Sequence, residues 1–401
     1  MSVLDNLKAA NATGTARGTF PIINNSANGK MKNLKLFGAS TKSEGQIESV
    51  VLNSVSAHGA QFLDLEANTS STTNGFNISV ESGHILTANG TPTAVWANLT
   101  DFDTKKLPKG KYTFSVDKTP TELEFSGVGI KFRKSIDDST NITHLITGSN
   151  KSITFDYSGD YKLVQIYIEG CNTSKSYNFT IKTMLNAGEI ALPFEAFNAN
   201  IANLPEAIEM NGNGELKDYI DYERGVFVQK FGVVVFDGSS DEEWAFNELS
   251  QRLTITGLPI KRTSNNDEIP NILCNQFLTK SPNQTYQKVE GITVNTYGVL
   301  HIYSDDFNTS DVSLWKAHLQ SNPMTVVYEL TEPIETPLSP AALFELNKLR
   351  TFDSITCVSN DAGAEMEIDY FKNNATGQEM SDIHAGVPRF ILDGTTLNII
   401  V

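Results

Sequence analysis

The stretch KLVQIYI at residues 162–168 alternates apolar and polar side chains with a period of two, which is typical of a half-buried β-strand. Tyr167 is therefore expected to face away from the side that buries Ile166 and Ile168, because successive strand residues point to opposite faces. Turn-forming Gly, Pro, Asn, Asp or Ser bound each such run. Five runs without intervening helices predict that residues 75–190 form an antiparallel β-sandwich of the jelly-roll type. The other four runs lie at residues 111–116, 122–125, 129–132 and 178–182.

A second series of β-branched runs predicts a second β-sandwich at residues 222–331. Its longest run covers residues 225–236. One helix is predicted at 312–321, where Trp315 and Leu319 share a face. This helix is expected to cover the second sandwich. The remaining runs lie at residues 253–256, 291–294, 298–303 and 325–330.

The sequence thus predicts an all-β chain with two antiparallel, jelly-roll-like β-sandwiches in tandem, short terminal extensions and one covering helix in the second sandwich. Breaks in the periodic pattern separate the predicted segments. These segments are an N-terminal docking segment (1–33), a short-strand leader (34–74), the first sandwich (75–190), a connector (191–221), the second sandwich (222–331), a linker with C-terminal strands (332–372) and a C-terminal extension (373–401).

Charge and composition exclude several classes of protein. The 401 residues contain 47 acidic and 31 basic side chains, a formal charge of −16, without a basic block. Nucleic-acid binding is therefore not expected, since it needs clustered cations. A membrane span is not expected either, because no run reaches about 18 apolar residues. Residues 1–20 show no signal-peptide pattern, and three widely spaced cysteines do not form a disulfide framework, so we expect a chain made in a reducing cytosol.

No catalytic, cofactor-binding or metal-binding motif is recognisable, so no catalytic residue, cofactor or metal is predicted. Three acidic clusters could serve glycoside hydrolysis or Ca²⁺ binding. The plainer interpretation is that they are solvated loop carboxylates on an acidic protein. The three clusters are Asp137-Asp138, Asp241-Glu242-Glu243 and Asp305-Asp306.

Aromatic side chains are the candidates for ligand binding in the first sandwich. Exposed rings on one sheet face can stack against sugar rings, and Trp96 and Tyr167 are the two predicted glycan-binding residues. Trp96 lies near a predicted strand end, and Tyr167 lies on the outward face of its strand. The alternative is that both rings are core or edge residues. Further aromatics on the predicted strands are Tyr112, Tyr157, Tyr161 and Tyr177.

Several segments follow one recognisable pattern. They include GAQFLDL at residues 59–65 and LPKGKYTF at 107–114. The most specific is FTIKTMLNAG at 179–188 with LPFEAF at 192–197, and the stretch 307–330 also follows the pattern closely. In these segments, and in NLKLFG at 33–38, the chain resembles a family of tail and baseplate proteins of phages and prophages of Gram-positive bacteria. The resemblance extends over residues 30–372 and includes a domain similar to a carbohydrate-binding module.

The resemblance implies a virion structural protein near the tail tip that takes part in host attachment. Expected partners are other tail or baseplate proteins and a host cell-wall or surface glycan. The apolar residues 390–401 predict a homo-oligomer, since bare apolar strand edges would be exposed in a monomer. Attachment devices of this kind are commonly trimeric, so the resemblance implies a homotrimer. Residues 1–30 are predicted to dock onto the tail, with Val3, Leu4 and Leu7 on one helical edge and a flexible stretch at 12–18.

Two other functions remain open from the sequence. One is a carbohydrate-active enzyme, either a depolymerase or a hydrolase, with an attached binding module. Depolymerase spikes usually carry regular short repeats of a parallel β-helix, and the chain shows no such period. The other is a secreted bacterial adhesin, which would require a signal peptide and an anchoring segment.

Overall fold

The computed structural model describes residues 13–19, 22–25, 31–43, 45–65, 72–81, 84–100, 107, 110–134, 141–158, 163–307, 311–352, 354–371, 389–393 and 396–400. Most of this part of the chain consists of antiparallel β-strands, which confirms the predicted all-β class. No helix within these residues is both long and apolar enough to cross a bilayer. Cys171, Cys274 and Cys357 are buried and form no disulfide bond among the described residues.

The elements before residue 190 are β1 (Thr13–Gly18), β2 (Ile22–Asn25), β3 (Lys32–Phe37), β4 (Ser40–Ser43), β5 (Gln46–His58), β6 (Thr72–Thr73), β7 (Phe76–Glu81), β8 (Ile85–Gly90), β9 (Trp96–Asn98), β10 (Gly110–Val116), α1 (Pro120–Leu123), β11 (Gly127–Arg133), β12 (Asn141–Thr147), β13 (Ser152–Tyr157), β14 (Leu163–Glu169), β15 (Tyr177–Ile181) and β16 (Thr183–Ala187). The later elements are β17 (Ala199–Met210), β18 (Gly212–Asn213), β19 (Leu216–Lys217), β20 (Tyr219–Asp221), β21 (Val226–Phe236), β22 (Ala245–Asn247), β23 (Arg252–Ile255), β24 (Ile272–Cys274), α2 (Pro282–Tyr286), β25 (Gly291–Val294), β26 (Leu300–Tyr303), a 3₁₀ turn (Asp305–Phe307), α3 (Val312–Ser321), β27 (Met324–Pro337), α4 (Pro340–Leu346), β28 (Ser354–Asn360), β29 (Glu365–Phe371), β30 (Arg389–Asp393) and β31 (Thr396–Ile400).

A third β unit, which the sequence pattern did not predict, connects the two sandwiches; we call it the base. It consists of a sheet of order β1-β29-β3-β20-β21-β27-β24 and a second sheet of order β17-β5-β28-β2, in which β4 also pairs with β5. One core lies in this unit, with α4 packed into it through Ala342 and Leu346. Segments predicted as leader, connector and linker therefore fold together. Core residues from those segments include Leu34, Leu52, Ala202, Ile220, Leu346 and Val358.

Both sandwiches are inserted into antiparallel strand pairs of the base. The chain leaves β5 at His58 and returns at Ala199, the first residue of β17, and these two residues are direct cross-strand partners. It leaves again along β21 and returns along β27, with Phe236 opposite Met324 at the far end. Each sandwich is thus connected to the base by two adjacent strands.

The first sandwich has two layers. One layer is the sheet of order β12-β11-β14-β9, and the other combines the sheets β13-β10-β16 and β15-β8-β7-β6. Only Lys182 separates β15 from β16, so the chain passes directly from one of these sheets into the other. Phe132 from the first layer contacts Phe155 and Tyr157 from the second, with ring centroids 5.5 and 5.1 Å apart. This interdigitation of two inner faces forms the core of a sandwich.

The segments at which the first sandwich begins and ends contact each other. Glu195 Oε1 accepts hydrogen bonds from the backbone N–H groups of Ala60 (2.5 Å) and Gln61 (3.2 Å). The fully buried Gln61 side chain in turn donates to the Thr183 carbonyl (2.8 Å) and accepts from the N–H of Leu185 (3.0 Å). We call this group of contacts the neck. These contacts join two of the segments on which the family resemblance depends, 59–65 and 192–197.

The second sandwich packs the sheet β22-β23-β26-β25 against the far ends of β21 and β27 and against β24. The predicted helix at 312–321 coincides with α3, and Trp315 and Leu319 are buried in the core as expected. Trp315 contacts Trp244 edge to face at 5.5 Å. The helix therefore covers one side of this sandwich.

Several predicted elements differ from the structure. Residues 122–125, predicted as a strand, include part of α1. Thr119 and Glu122 form a reciprocal capping box, and Pro120, directly after Thr119, suits the first helical position. The flexible stretch at 12–18 is mostly the edge strand β1, which pairs with β29. The Val3, Leu4 and Leu7 helix lies outside the described residues.

The C-terminal half shows the same kind of difference. The expected connector at 191–221 contains the strand β17, and the expected linker after residue 331 is the continuation of β27. The two strands predicted near the end of the linker are present as β28 and β29, but β28 pairs with β5 and β2 whereas β29 pairs with β1 and β3. In each case the partner strand is distant in sequence, and local periodicity does not identify it.

Candidate functional site

The candidate site is the outer face of the sheet β12-β11-β14-β9. The inner face of this sheet buries Val128, Ile130, Ile166 and Ile168 in the core of the first sandwich. Because strand residues alternate, the residues between them face outward. The prediction that Tyr167 points away from Ile166 and Ile168 agrees with this arrangement.

The structure brings Trp96 and Tyr167 onto one face. Trp96 lies directly opposite Glu169, and Asn98 lies directly opposite Tyr167, in the pairing of β9 with β14. The two predicted residues therefore occupy neighbouring strands, two positions apart along the sheet. Their exposure differs sharply, since Trp96 is 44% exposed whereas Tyr167 is only 6% exposed. The expectation of an exposed ring therefore agrees with Trp96 and is wrong for Tyr167.

Tyr167 is covered because its ring lies over a glycine. Gly129 on β11 is the direct cross-strand partner of Tyr167. A Cβ added at Gly129 would lie 2.8 Å from Cε1 of Tyr167 and 2.9 Å from the carbonyl oxygen of His144. Burial raises the pKa of the Tyr167 hydroxyl, while a hydrogen bond with Thr143 lowers it. An aromatic ring that covers a glycine on the adjacent strand stabilises the sheet, so the position of Tyr167 has a structural cause.

Lys131 connects the two rings. Its Nζ lies 4.5 Å from the centroid of Tyr167 and 5.6 Å from that of Trp96, within the range of cation–π attraction. Nζ is also 3.5 Å from Oδ1 of Asn98. Burial lowers the pKa of the Lys131 ammonium, as does the nearby charge of Arg133, whereas Glu169 raises it. We call Trp96, Asn98, Lys131 and Glu169, with Tyr167 beneath them, the aromatic face.

The aromatic face combines a flat apolar surface with hydrogen-bonding groups. The exposed ring of Trp96 can stack against the apolar face of a sugar. The Asn98 amide, the Lys131 ammonium and the exposed Glu169 carboxylate supply donors and acceptors that suit hydroxyl groups. Sequence reasoning missed these three polar residues. Period-two alternation places Lys131 on one face with Gly129, but only the strand register shows that this face includes Trp96.

Other candidate aromatic and acidic residues that the structure describes lie in the core or stabilise a turn. Tyr112, Tyr157 and Tyr177 are buried in the core of the first sandwich, and Tyr161 lies outside the described residues. Glu242 accepts hydrogen bonds from the N–H groups of Asp237 and Gly238 and from Nε1 of Trp244, so it stabilises a turn.

The remaining acidic clusters add no metal site in the described residues. Asp305 accepts a hydrogen bond from the Tyr303 hydroxyl at 2.8 Å, and Asp137-Asp138 lies outside the described residues. Within the described ranges, no group of three His, Cys, Asp or Glu side chains is arranged to hold a metal ion.

The sequence matches no protein-family model, and it matches no curated protein.

Because Tyr167 packs on Gly129, a methyl group added at position 129 is expected to destabilise the fold. Gly129→Ala should lower the free energy of unfolding by about 1–3 kcal/mol, because the ring and the backbone of His144 cannot both move away. The matched control is Gly110→Ala on β10, where an added Cβ would meet its nearest neighbour, Cε2 of Tyr112, at an ordinary 3.8 Å. This control should leave stability unchanged or raise it by up to about 1 kcal/mol.

Chemical denaturation followed by tryptophan fluorescence and circular dichroism would measure both variants. Equal stability of the two alanine variants would contradict the proposed packing of Tyr167 on Gly129.

Proposed function

We propose that this protein is a structural component of a phage tail or baseplate that takes part in host attachment by binding glycans. In this proposal it has no catalytic role and resides in the virion after assembly in the bacterial cytoplasm. Its partners are other tail or baseplate proteins and a cell-wall or surface glycan of the host.

The exposed Trp96 ring is the observation that carries the glycan-binding part of the proposal. A tryptophan that is 44% exposed on a sheet face, beside an amide, an ammonium and a carboxylate, is unusual for a residue with only a packing role. Its neighbour Val95 is 61% exposed and extends the apolar surface. The apolar groups suit the apolar face of a saccharide ring, and the polar groups suit its hydroxyl groups.

The neck supports the assignment to tail proteins. The resemblance in sequence is most specific in residues 179–197 and also includes residues 59–65, more than a hundred residues earlier. In the structure these segments contact each other through Gln61 and Glu195. The resemblance therefore involves a physically connected part of the molecule, at which a carbohydrate-binding-module-like sandwich is attached to its carrier.

Electron microscopy of virions labelled with an antibody to this protein tests the location. We expect the label at the tail tip or baseplate. Label absent from the tail of intact particles, with the protein detected only in the lysate, would overturn the proposal. A blot of the purified protein serves as the positive control for antibody binding.

Glycan binding is tested by Trp96→Ala. Loss of one stacking partner should weaken binding to host cell-wall glycan about tenfold, since a contact of about 1.4 kcal/mol corresponds to that factor. The matched control is Phe344→Ala on α4, because the Phe344 ring is 67% exposed and has Lys348 Nζ 5.3 Å from its centroid, an environment similar to that of Trp96 and Lys131. This control should bind like the wild type.

Binding of purified cell-wall glycan would be measured by titration calorimetry, and folding of each variant by circular dichroism. Equal binding by wild type and a folded Trp96→Ala variant would place the glycan site elsewhere and make the first sandwich a spacer.

We infer a homo-oligomer from the C-terminal sequence, and the family resemblance favours a trimer. β30 and β31 pair as a hairpin in which Phe390 lies opposite Ile399 and Leu392 opposite Leu397. An apolar two-stranded hairpin is marginally stable by itself, so a partner chain is expected to cover it. Sedimentation equilibrium at micromolar concentration should give about three times the chain mass of 44.0 kDa. A mass near that of one chain would contradict the trimer, and a chain ending at residue 371 should lose the association.

A further inference from the structure

An open cavity of about 870 Å³ lies in the second sandwich, far along the chain from the aromatic face. One wall is the segment 256–264, and the other is the turn at 296–299. Thr331 on β27 closes one side. The volume is in the range of small-molecule sites, which extend over roughly 300–1,000 Å³.

Among the described residues around the cavity, one of the two cations has no ion-pair partner. Lys261 forms an ion pair with Glu329 at 2.5 Å. Glu268 accepts two hydrogen bonds at Oε2, from the N–H and the hydroxyl of Ser264. These hydrogen bonds lower the pKa of the Glu268 carboxyl. Arg262 is exposed and forms no ion pair with any residue that the structure describes. The forked N–H donors of the Arg262 guanidinium are therefore not engaged by a carboxylate of the described residues and suit a carboxylate or phosphate of a ligand.

Tyr297 provides an exposed aromatic ring on a hydrogen-bonded turn at the opposite wall. The side-chain oxygen of the buried Asn295 accepts from the N–H groups of Tyr297 (2.9 Å) and Val299 (3.0 Å), and the Asn295 carbonyl accepts from Gly298 (3.0 Å). Gly298 has a φ of +80°, which this tight turn requires. The turn therefore fixes the backbone of Tyr297 at the cavity wall, where the ring is 86% exposed. A tyrosine side chain has only two torsion angles, so its ring contributes contact area at little cost in conformational entropy.

Hydroxyl groups line the space between Arg262 and Tyr297. Thr256, Thr296 and Thr331 are at least partly exposed there, and Leu258 and Val299 add apolar surface. A ligand that satisfies all of these groups has several hydroxyls, one apolar ring face and one negative charge. We propose that this cavity binds an anionic carbohydrate, with Arg262 pairing with a carboxylate or phosphate and Tyr297 stacking on the sugar ring.

This site is independent of the glycan-binding role proposed for the aromatic face. The two sites lie in different sandwiches, and they differ in the charge that they recognise. Trp96→Ala is therefore expected to leave binding at the cavity unchanged. Failure at one site does not affect the conclusion for the other.

Binding of four probes to the full chain would test the proposal by NMR titration or calorimetry. The probes are glucose 6-phosphate, glucuronate, glucose and inorganic phosphate. We expect the two anionic sugars to bind at least tenfold more tightly than glucose or phosphate. Their affinity should fall as NaCl is raised from 50 to 500 mM, since an exposed guanidinium is screened by salt, with a Debye length that shortens from about 10 Å at 0.1 M to about 3 Å at 1 M.

Two variants locate the site. Arg262→Gln should reduce the affinity for both anionic sugars at least tenfold, and Tyr297→Ala should reduce it at least fivefold. The control is Lys348→Gln, which removes an exposed cation on α4 that pairs with Glu345. This control should bind like the wild type, because an exposed ion pair contributes little to stability.

Three outcomes would overturn the proposal. They are no binding of either anionic sugar at millimolar concentration, binding that Arg262→Gln leaves unchanged in a folded protein, and equal affinity for glucose or inorganic phosphate. The last outcome would show that the cavity selects either the sugar or the charge but not their combination.

Discussion

The buried carboxylate of Asp218 satisfies the backbone at the place where the base passes into the second sandwich. Its Oδ1 accepts from the N–H groups of Lys230 (2.6 Å) and Phe231 (3.0 Å), and its Oδ2 accepts from Asn211 (2.7 Å). Burial raises the pKa of this carboxyl, and the three N–H groups oppose that shift. The β21–β27 ladder breaks at this point, because Gln229 pairs with Ile334 whereas Phe231 pairs with Glu329. Without Asp218 these N–H groups would lack acceptors, at a cost of about 1–3 kcal/mol for each unsatisfied group.

The positions of most strands within the two sandwiches were predictable from the sequence. The runs at 111–116, 162–168 and 178–182 correspond to β10, β14 and β15 because each strand buries one face in its own sandwich. The base was not predictable in this way. β5 pairs with β17 across an inserted sandwich of about 140 residues, and β1 pairs with β29 across almost the whole described chain. Alternation shows that a strand has a buried face, but it carries no information on which distant strand covers it.

The candidate site shows the same limit at the level of side chains. The direction of Tyr167 followed from its own strand, since it alternates with Ile166 and Ile168. Its low exposure depends on Gly129, and that pairing requires the register between β11 and β14. A glycine within a strand is a usable signal, because it often marks close approach of another group. Gly127 and Gly129 both have this character, since an added Cβ at either would lie within 3.0 Å of a neighbouring side chain.

Insertion into strand pairs also bears on how weak ligand contacts would produce attachment. A single exposed ring contributes about 0.5–1.5 kcal/mol beyond the area that it buries, so one aromatic face binds a glycan weakly. Linked sites gain a factor of about 10²–10⁴ when they engage together, provided that their geometry permits it. Because each sandwich is attached through two neighbouring strands, and the first also through the hydrogen bonds of Gln61 and Glu195, its site is held by more than a single flexible linker. In a trimer, two different sites on each chain would present six weak contacts, and a host surface carrying both neutral and anionic sugars would be bound more tightly than one carrying either alone.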